Sequence, residues 1–250
     1  MKRLIIALQF LTIFPVKRGH NPDPRDLAAS MAWFPVVGAL LGAGLALLHA
    51  GLAMFLPASV VSALLLLALA ISNGGLHLDG FSDTIDGIAG GRTPEDRLRI
   101  MKDSAIGATG AAFLIFLILV KYLCLNEIPG AFKGAAVFFF PIAGRWAMVL
   151  LSRLARYARP EGGSGSAFAG NKTNTFIVAT IIAVALAFSV LGIRGLAALI
   201  IISAAVWASS LFFKKKLGGV TGDVFGFTCE TSELILLILL LAFEKIPAWT

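Results

Sequence analysis

Residues 174–213 read NTFIVATIIAVALAFSVLGIRGLAALIIISAAVWASSLFF. The only charge in this stretch is Arg194, and one bilayer crossing takes about 20 predominantly apolar residues. The stretch is therefore long enough for two crossings, 174–192 and 195–213, and it sets the class of protein. Outward from it, five more segments qualify, at roughly 36–55, 59–76, 107–126, 134–151 and 231–247. The expected fold is all-α: a polytopic integral membrane helix bundle of about seven transmembrane helices. Composition agrees, with 58% hydrophobic and 14% charged residues and a mean hydropathy of +0.89. A soluble domain carries about a quarter charged residues. Soluble, disordered, coiled-coil and collagen-like classes are excluded.

No internal repeat and no long extramembrane stretch stands out, so residues 1–250 are expected to form a single integral membrane domain. The first apolar run, Leu4–Val16, is too short to span. It follows Met1-Lys2-Arg3 without a cleavage signal, and reads as a short N-terminal interfacial helix. Pro35 predicts a break between an amphipathic piece and the span beginning near Val36. Gly38 and Gly42 form a GxxxG pair suited to close helix packing.

Charge sets the orientation. If the N-terminus and residues 15–30, 77–106, 152–173 and 214–230 share one side, that side holds 16 of the 21 Lys and Arg residues. The other side holds Lys133, Arg194 and Lys245, while Lys121 and Arg145 fall within spans. The positive-inside bias assigns the first set to the cytoplasm. The net charge of +7 then reads as membrane-lipid headgroup contact, with Lys214–Lys216 as an anchor, and not as nucleic-acid binding. Two distant cysteines, Cys124 and Cys229, make neither a disulfide framework nor a metal cluster.

Ten of the 14 acidic residues fall in three stretches on the basic side, beside spans. In Gly74-Gly75-Leu76-His77-Leu78-Asp79-Gly80-Phe81-Ser82-Asp83-Thr84-Ile85-Asp86-Gly87, helical spacing places Asp79, Asp83 and Asp86 within about 60° of arc. Three like charges on one face repel, and a divalent cation relieves the repulsion; hard oxygen ligands suit Mg²⁺. A solvated acidic helix exit is the bland account, but exits on this side are otherwise basic. His77 fits an orienting hydrogen-bond partner better than a Mg²⁺ ligand.

In the second stretch, Met101-Lys102-Asp103-Ser104 precedes an apolar span. Ser104 or Asp103 as a helix cap and a phosphate held at a helix N-terminus are both open readings. Arg145, inside a span, is expected to face a polar cavity and suit a diphosphate. The loop Glu161-Gly162-Gly163-Ser164-Gly165-Ser166 is a linker or a lid by composition. Gly165 to Thr173 only approximates a phosphate-binding loop, because Asn171 splits the Gly-Lys pair and no strand precedes it. The third stretch, Gly218-Gly219-Val220-Thr221-Gly222-Asp223-Val224-Phe225-Gly226, leads to Glu230 and Glu233, which share a helical face.

Together these stretches resemble the cobalamin synthase family, the membrane-bound adenosylcobinamide-GDP ribazoletransferases. The resemblance rests on Gly74-Gly75-Leu76-His77-Leu78-Asp79-Gly80 with Asp83 and Asp86-Gly87, on Met101-Lys102-Asp103-Ser104 with Ile106-Gly107, on Gly144-Arg145, and on Gly219-x-Thr221-Gly222-Asp223 with Gly226 and Glu230. Phe81-Ser82 and Ala105 depart from the pattern, leaving open which group contacts phosphate near position 105. The resemblance implies a Mg²⁺-dependent phosphotransfer joining the 5′-hydroxyl of α-ribazole, or its 5′-phosphate form, to adenosylcobinamide-GDP. The products are GMP and adenosylcobalamin or its 5′-phosphate.

On this resemblance Asp79, Asp83 and Asp86 are metal ligands. Asp223 and Glu230 serve a second metal or the ribazole hydroxyl, Asp103 is a candidate base, and His77 supports the catalytic group. Lys102, Ser104, Arg145 and Thr221 fall to the bound phosphates. A homo-oligomer, or a complex with other corrinoid-pathway enzymes, is compatible with it.

Other classes compete. Asp83-x2-Asp86-Gly87 matches the opening of a CDP-alcohol phosphotransferase motif, but Arg92 is offset and no later Gly-x3-Asp-x3-Asp follows. Prenyl transferases also use Asp-rich motifs. A small-solute transporter is expected to hold its charges near the bilayer midplane, whereas the acids here are expected at the membrane surface.

Overall fold

The computed structural model describes residues 1–14, 23–159, 161–163 and 165–245. Among them the regular structure is helical: α1 (Lys2–Leu11), α2 (Pro24–Ser30), α3 (Phe34–Leu52), α4 (Ala58–Ser72), α5 (Leu76–Gly90), α6 (Pro94–Ile100), α7 (Ala108–Glu127), α8 (Gly130–Leu154), α9 (Thr173–Leu217) and α10 (Gly222–Glu244). Five of the described helical stretches are long and apolar enough to cross a membrane, and the α4–α5 pair passes the same test together. The protein is an all-α, multi-pass membrane bundle. Residues 15 and 16 of the first apolar run, and the end of the last expected span beyond Lys245, lie outside the described residues.

The opening stretch behaves as two passes. α9 is interrupted at Gly192, whose φ of 59° and ψ of −140° are not helical. Its two ends lie beside the same end of α8: Gly170 N–H donates to the Ser152 carbonyl at 2.8 Å, and Ala158 N–H to the Val220 carbonyl at 2.9 Å. At the turn, Arg194 pairs with Glu244 at 2.6 Å and lies 5.1 Å from the Phe132 ring centroid, by the start of α8. Residues 174–213 thus form a helical hairpin around Gly192, a residue whose missing Cβ permits the positive φ.

Two antiparallel helices make the closest packing. A Cβ on Gly38 would lie 2.7 Å from the Ile142 Cα, and one on Gly42 would overlap the Phe138 carbonyl, so α3 and α8 meet backbone to backbone. The lead-in to α3 is broken as expected: α2 is followed by a 3-10 turn, Met31–Trp33, with Pro35 in the first turn of α3.

Two expected boundaries change. The expected span 59–76 stops at Ser72, because Gly74 and Gly75 take φ of +63° and +74° and end the helix. The chain re-emerges as α5, bent 89° from α4. Residues 77–106, expected to be a loop, therefore carry α5 and α6, and α5 runs across the bundle instead of through it. The last helix starts at Gly222 and not near 231, so the third acidic stretch is helical and Glu230 and Glu233 sit two to three turns inside it.

Candidate active site

α5 crosses α10 at two glycines. A Cβ on Gly80 would lie 2.8 Å from the Asp223 carbonyl oxygen, and one on Gly226 would lie 3.0 Å from the His77 carbonyl oxygen. Only glycine allows two helices to approach this closely, and the approach sets Asp79 and Asp83 beside Asp223. Asp79 is exposed, whereas Asp83 and Asp223 are half-buried. Burial, followed by the charges of Asp79, Asp223 and Asp86, pushes the Asp83 carboxyl up to about 7.

The cation in this group is one that sequence reading overlooked. Arg159 donates from Nη2 to Asp223 Oδ2 at 3.0 Å, and Thr221 Oγ1 donates to the same oxygen at 3.1 Å. Arg159 lies in the segment between α8 and α9, which is tied down: Ala158 N–H donates to the Val220 carbonyl and Val220 N–H to the Arg156 carbonyl, both at 2.9 Å. Gly165 rests on Gly222, where a Cβ would meet the Gly222 nitrogen at 2.9 Å. The Gly-Ser stretch, a linker or lid by composition, is a strap held against the start of α10; Ser164 lies outside the described residues. No sequence signal distinguished Arg159 from neighbouring arginines, because its role depends on where the strap lies.

The other expected site residues make contacts of their own. Asp86 accepts from Gly107 N–H at 2.7 Å and Gly110 N–H at 2.8 Å, so both its oxygens cap the N-terminus of α7 from outside. That end is therefore filled by a carboxylate, and neither Ser104 nor Asp103 caps the helix. Asp103 accepts from Ala105 N–H at 3.1 Å, and Ser104 is exposed. Lys102 pairs with Glu161, and its ammonium holds the Glu161 carboxyl below the usual range. Thr221 caps α10 by accepting from Val224 N–H at 3.3 Å.

Arg145 does not face an open cavity. It is fully buried and bound to Glu233, while Lys121 bridges Glu230 and Glu233, reaching the latter at 2.7 Å. Two cations and two anions on α7, α8 and α10 form a neutral network deep in the bundle. Such acids need paired cations in an apolar interior; Glu230 is thus drawn away from Asp223, and Glu230 and Glu233 do not lie at the membrane surface. His77 is 1% exposed, and neither ring nitrogen has a hydrogen-bond partner, so it orients no described group.

Among the described residues, no three His, Cys, Asp or Glu side chains converge as a ready-made metal cage. The site has a different character: a polytopic helix bundle carrying carboxylates and one arginine where a transverse helix meets the start of the last one. The match to known proteins gives it a family. Residues 3–241 match the cobalamin-5-phosphate synthase family, to which the chain belongs. Relatives described as adenosylcobinamide-GDP ribazoletransferase include those of Desulforamulus reducens, 39% identical over 97% of both chains, and Geotalea daltonii, 36% identical over 97% of this chain and 98% of the relative. That of Citrobacter koseri is 37% identical over 96% of this chain and its full length. No solved structure matches.

Proposed function

We propose that this protein is an adenosylcobinamide-GDP ribazoletransferase, which attaches the lower-ligand nucleoside late in vitamin B12 synthesis by phosphoryl transfer. Family membership supplies the reaction, and the crossing of α5 and α10 carries its assignment to Asp79, Asp83, Asp223 and Arg159. A hydroxyl of α-ribazole, or of its 5′-phosphate, attacks the phosphorus attached to the cobinamide. A new P–O bond forms, the P–O–P linkage breaks, and GMP leaves with the bonding pair. Because the 5′-phosphate has no free 5′-hydroxyl, a nucleophile common to both acceptors is a ring hydroxyl of the ribose, which corrects the expected 5′ attack.

Arg159 replaces Arg145 as the group facing the diphosphate, since its guanidinium is at the site and suits phosphate oxygens. Asp79 and Asp83 would hold Mg²⁺, with phosphate oxygens and water completing the shell, which fits a site without a protein cage. The mutual repulsion around Asp83 is what a divalent cation relieves. When bound, Mg²⁺ supplies charge neutralisation on the phosphates. Asp223, once Arg159 turns to phosphate, is free to accept the hydroxyl proton.

The basic end faces the cytoplasm of a bacterial inner membrane on this reading, supported by the loop charge bias. The test is purified protein with Mg²⁺, adenosylcobinamide-GDP and α-ribazole, followed for GMP and cobamide. Transfer from a CDP-alcohol or prenyl-diphosphate donor instead would overturn it.

A further inference from the structure

Between α4 and α7 the bundle leaves a groove of about 580 Å³, open along the exposed face of the two helices. Its walls are aliphatic: Leu67, Ile115 and Leu119 line it and are 54%, 65% and 44% exposed. Lys121 and Glu230 form part of its floor, but both are paired within the neutral network described above. One buried polar group there lacks a partner. Asn73 borders the groove and is 6% exposed. Its Oδ1 accepts from Gly75 N–H at 3.0 Å, whereas its Nδ2 is not sealed and has no hydrogen-bond partner among the described residues. A donor held largely out of water without an acceptor costs free energy, which a ligand oxygen would recover.

We infer that this groove binds one acyl chain of a membrane phospholipid, and that the ester carbonyl at the head of the chain accepts from Asn73 Nδ2. Position, length and polarity select this occupant. The mouth lies between helices apolar enough to cross the membrane, where the surrounding solvent is lipid hydrocarbon, and an unfilled groove would forfeit packing contacts along both walls. From Ala63 to Asn73 the helix rises about 15 Å, half of a hydrocarbon core of about 30 Å, which is the depth of one leaflet.

Asn73 marks the end at which α4 gives way to α5. Because α5 carries Asp79 in its first turn, the polar boundary of the membrane passes this end. A phospholipid changes from hydrocarbon to ester at the same boundary, so a chain laid along α4 brings its carbonyl to the unpaired amide.

The occupant would also brace the elbow. Gly75 N–H donates to the Ala70 carbonyl at 2.9 Å as well as to Asn73, and Ala70 and Leu78 line the groove on either side of the turn. A filled groove therefore supports the base of α5, from which Asp79 and Asp83 reach Asp223. Binding of the lipid does not depend on the reaction proposed above.

The experiment titrates delipidated, detergent-purified protein with dioleoyl phosphatidylcholine and with its diether analogue, which lacks the ester carbonyls. Native mass spectrometry reads the bound lipid, and thermal unfolding reads its effect. Wild type should retain one ester lipid and bind the diether about fivefold more weakly, the scale of one hydrogen bond. Asn73→Asp keeps an acceptor for Gly75 N–H and loses the donor, so it should bind the two lipids equally, the non-additivity expected of a direct contact. Ala63→Phe, at an exposed wall position, should fill the far part of the groove and weaken both lipids at least tenfold. The melting temperature of wild type should rise more with the ester lipid than with the diether.

Equal affinity of wild type for ester and diether overturns the contact at Asn73 and the proposal with it. That comparison uses no variant, and it carries the test if Asn73→Asp does not fold. Unchanged lipid retention in Ala63→Phe places the lipid elsewhere and overturns the groove. Displacement of the lipid by α-ribazole would make the groove a substrate site and overturn the lipid assignment.

Discussion

Gly80 and Asp223 touch backbone to backbone, so closely that a Cβ on the glycine would sit 2.8 Å from the aspartate carbonyl oxygen. Substituting Gly80→Ala should force α5 off α10 and part Asp79 and Asp83 from Asp223. Turnover should fall by at least tenfold, with a lowered melting temperature, because overpacking a close contact costs about 1–3 kcal/mol. Full activity in Gly80→Ala would mean that the three carboxylates do not act together.

Asp83 and Asp86 should part company under substitution. Asp83→Asn should abolish turnover with little loss of stability, since its carboxyl sits in mutual repulsion with Asp79 and Asp223. Asp86→Asn should instead destabilise the protein by about 1–2 kcal/mol, the scale of a lost helix cap, because an amide oxygen cannot replace two carboxylate acceptors at Gly107 and Gly110. Thermal unfolding and GMP release, measured on both variants, separate the two roles.

The raised Asp83 carboxyl gives a pH signature. Its folded value is about 7, above that of the unfolded chain, so its contribution lowers stability as pH rises from the ordinary carboxylate range to about 7, and is constant beyond. Added Mg²⁺ should therefore raise the melting temperature more near pH 8 than near about pH 5, where Asp83 is protonated and binds cations poorly. A Mg²⁺ effect independent of pH would place the ion elsewhere.

Arg159 and Arg145 should differ in kind. Arg159→Gln should raise KM for adenosylcobinamide-GDP about tenfold, the scale of one charge-assisted contact, with the fold intact. Arg145→Gln should act on stability, since its side chain is enclosed and bound to Glu233. In the same network, Lys121→Met should cost about 3–5 kcal/mol by stranding buried carboxylates, and adding Glu230→Gln should restore part of that.

Sidedness can be read by thiol labelling, with the buried Cys124 and Cys229 replaced. Ser104→Cys and Lys215→Cys, both exposed at the basic end, should label from the cytoplasm, and Met54→Cys, exposed beyond α3, from the other face. Labelling of Ser104→Cys and Lys215→Cys from opposite sides would overturn the shared end.

Membrane class, most of the spans and the family motifs were legible in the sequence because they depend on local properties: apolar run length, glycine and proline placement, and charge between runs. The double pass at 174–213 and the break before α3 follow from such features. The elbow at Gly74-Gly75 was visible as residues but not as geometry, since glycine permits a turn without requiring one. Which acid meets which cation was decided by tertiary structure alone. Asp86, Glu230 and Asp223 look alike in sequence, yet one caps α7, one is neutralised by Lys121 inside the bundle, and one meets Arg159 beside Asp79 and Asp83. A charge in an apolar interior is stable only where a partner lies within a few ångströms, and that distance is set by how the helices cross.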